Sequence, residues 1–160
     1  MPVVHSLLQI REELEAVVPS LSLEELWARP GGAASIGFHL NHLAGSLSRL
    51  LTYARGEMLS DAQLAFLDAE ERAGSEPPAQ LLRMVLDGIE VALEQIRATP
   101  VQTLSESRLV GRAALPSTVL GLLFHAAEHA QRHAGQIATT SKIVRQTGSQ
   151  KLEGKREVVK

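Results

Sequence analysis

Residues 117–137 read Ser-Thr-Val-Leu-Gly-Leu-Leu-Phe-His-Ala-Ala-Glu-His-Ala-Gln-Arg-His-Ala-Gly-Gln-Ile. Few of these residues oppose a helix, and Ser117 or Thr118 offers a hydroxyl to cap the first free N–H groups. A similar composition continues to about Arg145, which makes this the longest expected helix of the chain. At about 100° per residue, Val119, Leu123, Ala126, Ala130 and Ile137 fall on one side, so the helix has an apolar stripe that must be covered. What covers it decides the fold.

Upstream, three more stripes repeat at helical spacing. Val4, Leu7, Leu8, Leu14, Val17 and Val18 form the first, between Val3 and Val18, and Pro19 ends it. Ser35 is an N-cap for the second, which runs through Ile36, Leu40, Leu43, Leu47, Leu50 and Ala54 to Gly56. Pro77 and Pro78 open the third, carried by Leu82, Val85, Ile89, Ala92 and Ile96 and closed by Thr99-Pro100. Between the first two, Ser22 and Glu25 form a capping box for a short turn bearing Leu23, Leu26 and Trp27, which Arg29-Pro30-Gly31-Gly32 ends. The stretch from Glu57 to Pro78 is polar at both ends and holds room for a short helix around Asp61 to Glu71. A loop containing Gly111 and Pro116 precedes the last helix, and no strand pattern stands out.

Four amphipathic helices cover one another best as a four-helix bundle, so the expected fold is all-α, with a long crossover connection between the second and third long helices. The 160 residues fit one domain, expected over residues 1–147, while residues 148–160 read as a polar, flexible C-terminal tail. Aromatics at 3% favour an aliphatic helical core. A net charge of −2 with scattered basic residues argues against nucleic acid as a partner. No apolar stretch is long enough to span a bilayer and no export signal opens the chain, so a cytoplasmic protein is expected. Cysteine is absent, which excludes disulfides and thiolate ligands and leaves His, Asp and Glu to hold any metal.

Five of the six histidines lie in two clusters, His39 with His42 on the second long helix and His125, His129 and His133 on the last. Histidines four apart occupy neighbouring turns of one face, so two imidazoles can meet on one ion without bending the backbone. All three on the last helix cannot, because eight residues advance about 12 Å while zinc takes its nitrogens at about 2.0–2.1 Å. The wheel places His133 nearest the apolar stripe, His129 next and His125 farthest, which selects His129 and His133. On the second helix the wheel places His39 nearer its stripe than His42, and either can complete a three-His site with an open coordination position. His5 stands alone and is read as a surface histidine.

Trp27-Ala-Arg-Pro30, Ser35-Ile-Gly-Phe-His-Leu-Asn-His42-Leu and Leu123-Phe-His-Ala-Ala-Glu-His129-Ala-Gln-Arg-His133-Ala-Gly-Gln-Ile137 together resemble the DinB-like family, also called DinB/YfiT-like metalloenzymes. The likeness runs over most of residues 1–148. It implies a four-helix bundle, often a homodimer, with a metal held by one histidine of the second long helix and an HxxxH pair of the last. Placed on the family pattern, the ligands are His42, seven residues after the serine that opens its helix, with His129 and His133 just before Gly-Gln. His39 and His125 fall outside the three-ligand pattern and are alternative or supporting residues.

The resemblance implies a divalent ion, zinc or nickel foremost, and an enzyme that activates water or a low-molecular-weight thiol, as a hydrolase or a thiol-dependent transferase of a small-molecule substrate. The alternative is a non-catalytic, stress-related, metal-binding dimeric module; a metal-free helical dimer is a third reading. Glu128 is a candidate to orient a ligand or relay a proton, and Gln136 to touch substrate. Arg108 and Arg112, before the last helix, are candidates to attract an anionic substrate. Trp27 is expected to pack across an end of the bundle.

Overall fold

The structure, a computed structural model, describes residues 2–157, with side chains described as far as Thr147. Its helices are α1 (Pro2–Val17), α2 (Leu23–Trp27), α3 (Ile36–Ala54), α4 (Asp61–Ala69), α5 (Pro78–Ala98) and α6 (Val119–Glu157). The helical backbone of α6 thus continues into the segment expected as a tail, whose last three residues lie outside the described ones. The four long helices form a four-helix bundle, matching the expected class.

The third and last long helices, α5 and α6, bury the stripes their sequences predict, and α3 buries all of its stripe but the half-buried Leu50. In α1, Leu7 and Leu14 are buried as expected, whereas Val4, Leu8 and Val17 are half-buried, and Ile10 and Val3, outside the expected set, are buried. Leu7, Ile10 and Leu14 of α1, Leu40, Leu43 and Leu47 of α3, Val85, Ile89 and Leu93 of α5, and Leu123, Ala130 and Ile137 of α6 are all inaccessible to solvent or nearly so. Removing each large aliphatic side chain from water contributes about 1.5–3 kcal/mol, so the stripes are the principal source of stability. Local chemistry sets the helix starts. Ser35 Oγ accepts from the backbone N–H of Phe38 at 3.2 Å, Ser22 and Glu25 form the expected capping box, and Ser60 and Gln63 form another at the start of α4. Pro19 ends α1 through a 3-10 turn over Val18–Ser20.

Cross-contacts give the helix directions. His39 meets His133 and His42 meets His129, so α3 and α6 are antiparallel. Ser6 meets Gln131 and Arg145 meets Val17, so α1 and α6 are parallel. Gln95 donates to the Leu51 carbonyl at one end, and Met84 faces the same cleft as Ala44 at the other, so α3 and α5 are parallel neighbours. A parallel pair requires the chain to return along the whole bundle, and residues 55–77 do this. Within them α4 runs back beside α3, Gln63 donating to Ser48 and Thr52 at 2.9 Å and Glu70, just after α4, reaching Arg49 and His42.

One element departs from expectation. Ser107–Val110 (β1) and Leu115–Thr118 (β2) pair antiparallel, Ser107 opposite Thr118 and Val110 opposite Leu115. The loop before α6 is therefore a hairpin. Its strands are four residues long and largely exposed, and one contains Pro116, so neither shows the sustained alternation that marks a strand in sequence. Gly111 and Ala114 take φ of 67° and 49° at its turn. Arg108 donates to the Ala54 carbonyl at 2.8 Å, satisfying an otherwise free acceptor at the C-terminus of α3. Thr118 Oγ1 accepts from Gly121 N at 3.0 Å, the cap expected from Ser117 or Thr118.

Candidate metal centre

The centre lies where the N-terminal half of α3 crosses the N-terminal half of α6. A close approach holds the first of these helices. The Trp27 ring sits on Gly37, where an added Cβ would lie 2.5–2.7 Å from ring carbons, so the missing side chain is what admits the indole. Trp27 is thereby a packing residue at the bundle end, with its indole N–H buried and unpartnered. Within α3 the Phe38 ring stacks on His42 one turn further on, with centroids 5.4 Å apart and planes 14° apart. A concavity of about 200 Å³ lined by Trp27, Arg29, Ser35, Phe38 and Glu71 adjoins this end of α3.

His42, His129 and His133 each present a ring nitrogen, and these atoms all lie within 4.8 Å of one another. The Nε2 atoms of His42 and His129 are 3.1 Å apart, and the His133 ring centroid lies 4.7 Å and 4.6 Å from those of His42 and His129. Tetrahedral zinc with nitrogens at about 2.0–2.1 Å separates its ligand atoms by about 3.3 Å, so small ring rotations suffice to fit the donors to such an ion. His39 is the more buried of the α3 pair, 7% exposed, as its wheel position predicts. Its Nδ1 lies 2.9 Å from His133 Nδ1, so one ring donates to the other. Burial alone would have selected His39; convergence selects His42.

Charge supports the fit. Burial pushes His133 down to about 3, aided by the neighbouring His129, His42, His39 and Arg132. Burial also lowers His129, with His42, His125 and Arg132 adding to it, and lowers His39, with His42 adding to it. Neutral imidazoles keep a lone pair for a cation and need no proton displaced from it. Three imidazole nitrogens suit a borderline divalent ion and leave one tetrahedral position without a protein ligand from the triad.

The other expected residues are placed as follows. His125 is half exposed and hydrogen-bonds Glu128 at 3.2 Å, with its ring 5.5 Å from that of His129. Glu128 also accepts from Arg132; its partners are thus on the outer side of α6, and the hydrogen bond from Arg132 holds its carboxyl below the ordinary range. Gln136 and His5 are exposed. Arg108 caps α3 at Ala54, twelve residues or about 18 Å of helix from His42, and Arg112 is at the exposed turn of the same hairpin. Neither arginine is beside the triad.

Sequence reasoning missed Glu70. The carboxylate is 3% exposed, accepts from His42 Nδ1 at 2.7 Å and pairs with Arg49. Burial raises its pKa, but hydrogen bonds and charge from His42 and Arg49 overcome this and hold it below the ordinary carboxylate value. Nothing distinguishes Glu70 from the adjacent Glu71 in sequence. The faint signal was Gly45, a glycine inside α3 on the face away from its apolar stripe, where a Cβ would collide with the Glu70 carboxylate and lie 2.8 Å from the Phe66 ring.

Several solved structures share this fold, among them the following three. YfiT from Bacillus subtilis, described as a probable metal-dependent hydrolase with an unusual four-helix bundle topology, is 16% identical with a TM-score of 0.67, covering 92% of this chain and 86% of its own. A conserved protein from Enterococcus faecalis is 17% identical with a TM-score of 0.66, covering 89% and 94%. A DinB-like protein from Bacillus cereus is 16% identical with a TM-score of 0.59, covering 91% of each chain. No curated protein matches the chain. The sequence model of the DinB superfamily matches residues 6–137, a span that runs from α1 into α6 and contains the three converging histidines, and the chain belongs to that superfamily.

Proposed function

We propose that this protein is a divalent-metal-dependent enzyme, a hydrolase in the first instance, whose metal is held by His42, His129 and His133. The observation that carries this reading is the convergence of three ring nitrogens from two helices within 4.8 Å. The printed description of Bacillus subtilis YfiT as a probable metal-dependent hydrolase supports it. When bound, a divalent ion supplies Lewis acidity and lowers the pKa of a ligated water or low-molecular-weight thiol, making a nucleophile available near neutral pH. The chain's own part is to fix three donors and leave one position open. Phe38, stacked on His42, restricts that ring and limits the approach of water on its covered face. The concavity beside Phe38 offers Arg29 and Glu71 as polar groups for a small substrate.

Metal content measured on protein purified without a polyhistidine tag, after zinc or nickel supplementation, tests the first half. Occupancy on the order of one ion per chain is expected, and less than about one per ten chains would refute it. A screen of the reconstituted protein against electrophilic substrates, with water alone and with several low-molecular-weight thiols, tests the second. Turnover with water alone supports hydrolysis, turnover only with a thiol reassigns the protein as a transferase, and turnover that survives His129→Ala refutes the centre as its source.

A further inference from the structure

The residue just after α4 is the least expected part of this region. Glu70 is a buried carboxylate delivered to α3 by the return connection, and its contacts are specific. His42 lies 2.7 Å from one oxygen, and the Arg49 guanidinium reaches both, its contact with Oε2 being 3.4 Å. A carboxylate this buried requires such partners. An ionised carboxylate can only accept, so the proton in the His42 contact sits on Nδ1. In the Nδ1–H tautomer Nε2 is bare, and Nε2 is the atom that faces His129 at 3.1 Å.

We propose that Glu70 is a positioning residue for the metal centre: it fixes the His42 ring in the Nδ1–H tautomer and aims Nε2 at the point shared with His129 and His133, while Arg49 anchors the carboxylate. This rests on the metal-centre reading above. Three further features fit it. Gly45 supplies the space, since any side chain there would displace Glu70. α4 has no fully buried residue of its own, so polar anchors at Gln63 and Glu70 contribute much of its attachment to α3. Outer hydrogen bonds of this kind set the orientation and basicity of ligating imidazoles generally, and losing them weakens metal binding about 10–100-fold.

The test measures zinc affinity of tag-free protein by competition with a chelating indicator, for wild type, Glu70→Ala, Glu70→Gln and Gly45→Ala. Ring nitrogen NMR of His42, assigned with His42→Gln, is recorded alongside on metal-free wild type. The expected result is an Nδ1–H, bare-Nε2 ring in wild type and zinc binding about 10–100-fold weaker in Glu70→Ala. Glu70→Gln, which keeps an acceptor, should lose less. Gly45→Ala should lose affinity although helix propensity alone favours alanine. Wild type that binds no zinc would refute the metal centre itself. Wild type that binds zinc while Glu70→Ala and Gly45→Ala bind it equally well would refute the role of Glu70 alone. Should the variants fail to fold, a wild-type His42 ring protonated at Nε2 would overturn the proposal, and one protonated at Nδ1 would support it.

Discussion

Acid should destabilise the metal-free protein through its histidines, and His133 allows the size to be worked out. Its folded pKa is about 3, against an ordinary 6.5, because the imidazolium is penalised by burial and by three neighbouring rings. The unfolded chain takes up a proton on this residue below pH 6.5, whereas the folded chain does so only near pH 3. The stabilising contribution is therefore complete above 6.5 and is lost as pH falls through 6.5 toward 3. At pH 5 the unfolded ring is almost fully protonated and the folded one is not, which sets a ceiling of about 2 kcal/mol at about 1.36 kcal/mol per pH unit. The ring is only partly buried, so solvent screening reduces this to about 1 kcal/mol. Urea unfolding followed by circular dichroism at pH 7.5 and pH 5, with chelator present, should show wild type losing stability on acidification. His129 and His39, also lowered by burial, add in the same direction. His133→Gln should lose about 1 kcal/mol less than wild type between the two pH values. An identical loss in the two proteins would refute the reasoning.

Zinc at about a hundred times its dissociation constant should stabilise wild type by about 2.7 kcal/mol, raising Tm by several degrees in a thermal melt, and should leave the Tm of the double variant His129→Ala/His133→Ala unchanged. An equal rise in both would place binding elsewhere. Leu43→Ala, at a fully buried position on α3, should cost about 2–5 kcal/mol in urea unfolding; a cost under 1 kcal/mol, on that same scale, would mean the site collapses freely. Ser35→Ala removes the hydroxyl that accepts from Phe38 N and should cost about 1 kcal/mol, with Ser35→Gly costing less. Gly37→Ala should destabilise despite the better helix propensity of alanine, because the new methyl meets the Trp27 ring, and an altered tryptophan emission spectrum should accompany the loss.

The bundle was readable because its information is periodic. Leu40, Leu43 and Leu47 or Val85 and Ile89 repeat at helical spacing whatever they pack against, and the structure buries them all. Caps at Ser22, Ser35 and Thr118 were legible for a similar reason, since a cap is a contact across three residues. The hairpin was not legible, because four-residue strands with a proline carry too short a pattern. Among the histidines, the wheel ranked His39 above His42 in burial correctly, but burial and convergence are different properties, and only the family pattern pointed to His42. Glu70 was beyond reach because its partners lie 21 and 28 residues away on another helix. That pairing follows from the path of the return connection, which residue spacing does not encode.

The parallel course of α3 and α5 has a consequence for the order of assembly. Because the return segment lies directly beside α3, the contact between His42 and Glu70 closes a loop of modest length and can form while the last third of the chain is still unstructured. The other two imidazoles arrive 87 and more residues after His42, on the final helix, and close a far longer loop. A cation that needs all three donors would thus be captured only once that helix has docked, and its uptake would register completed folding rather than assist its early steps.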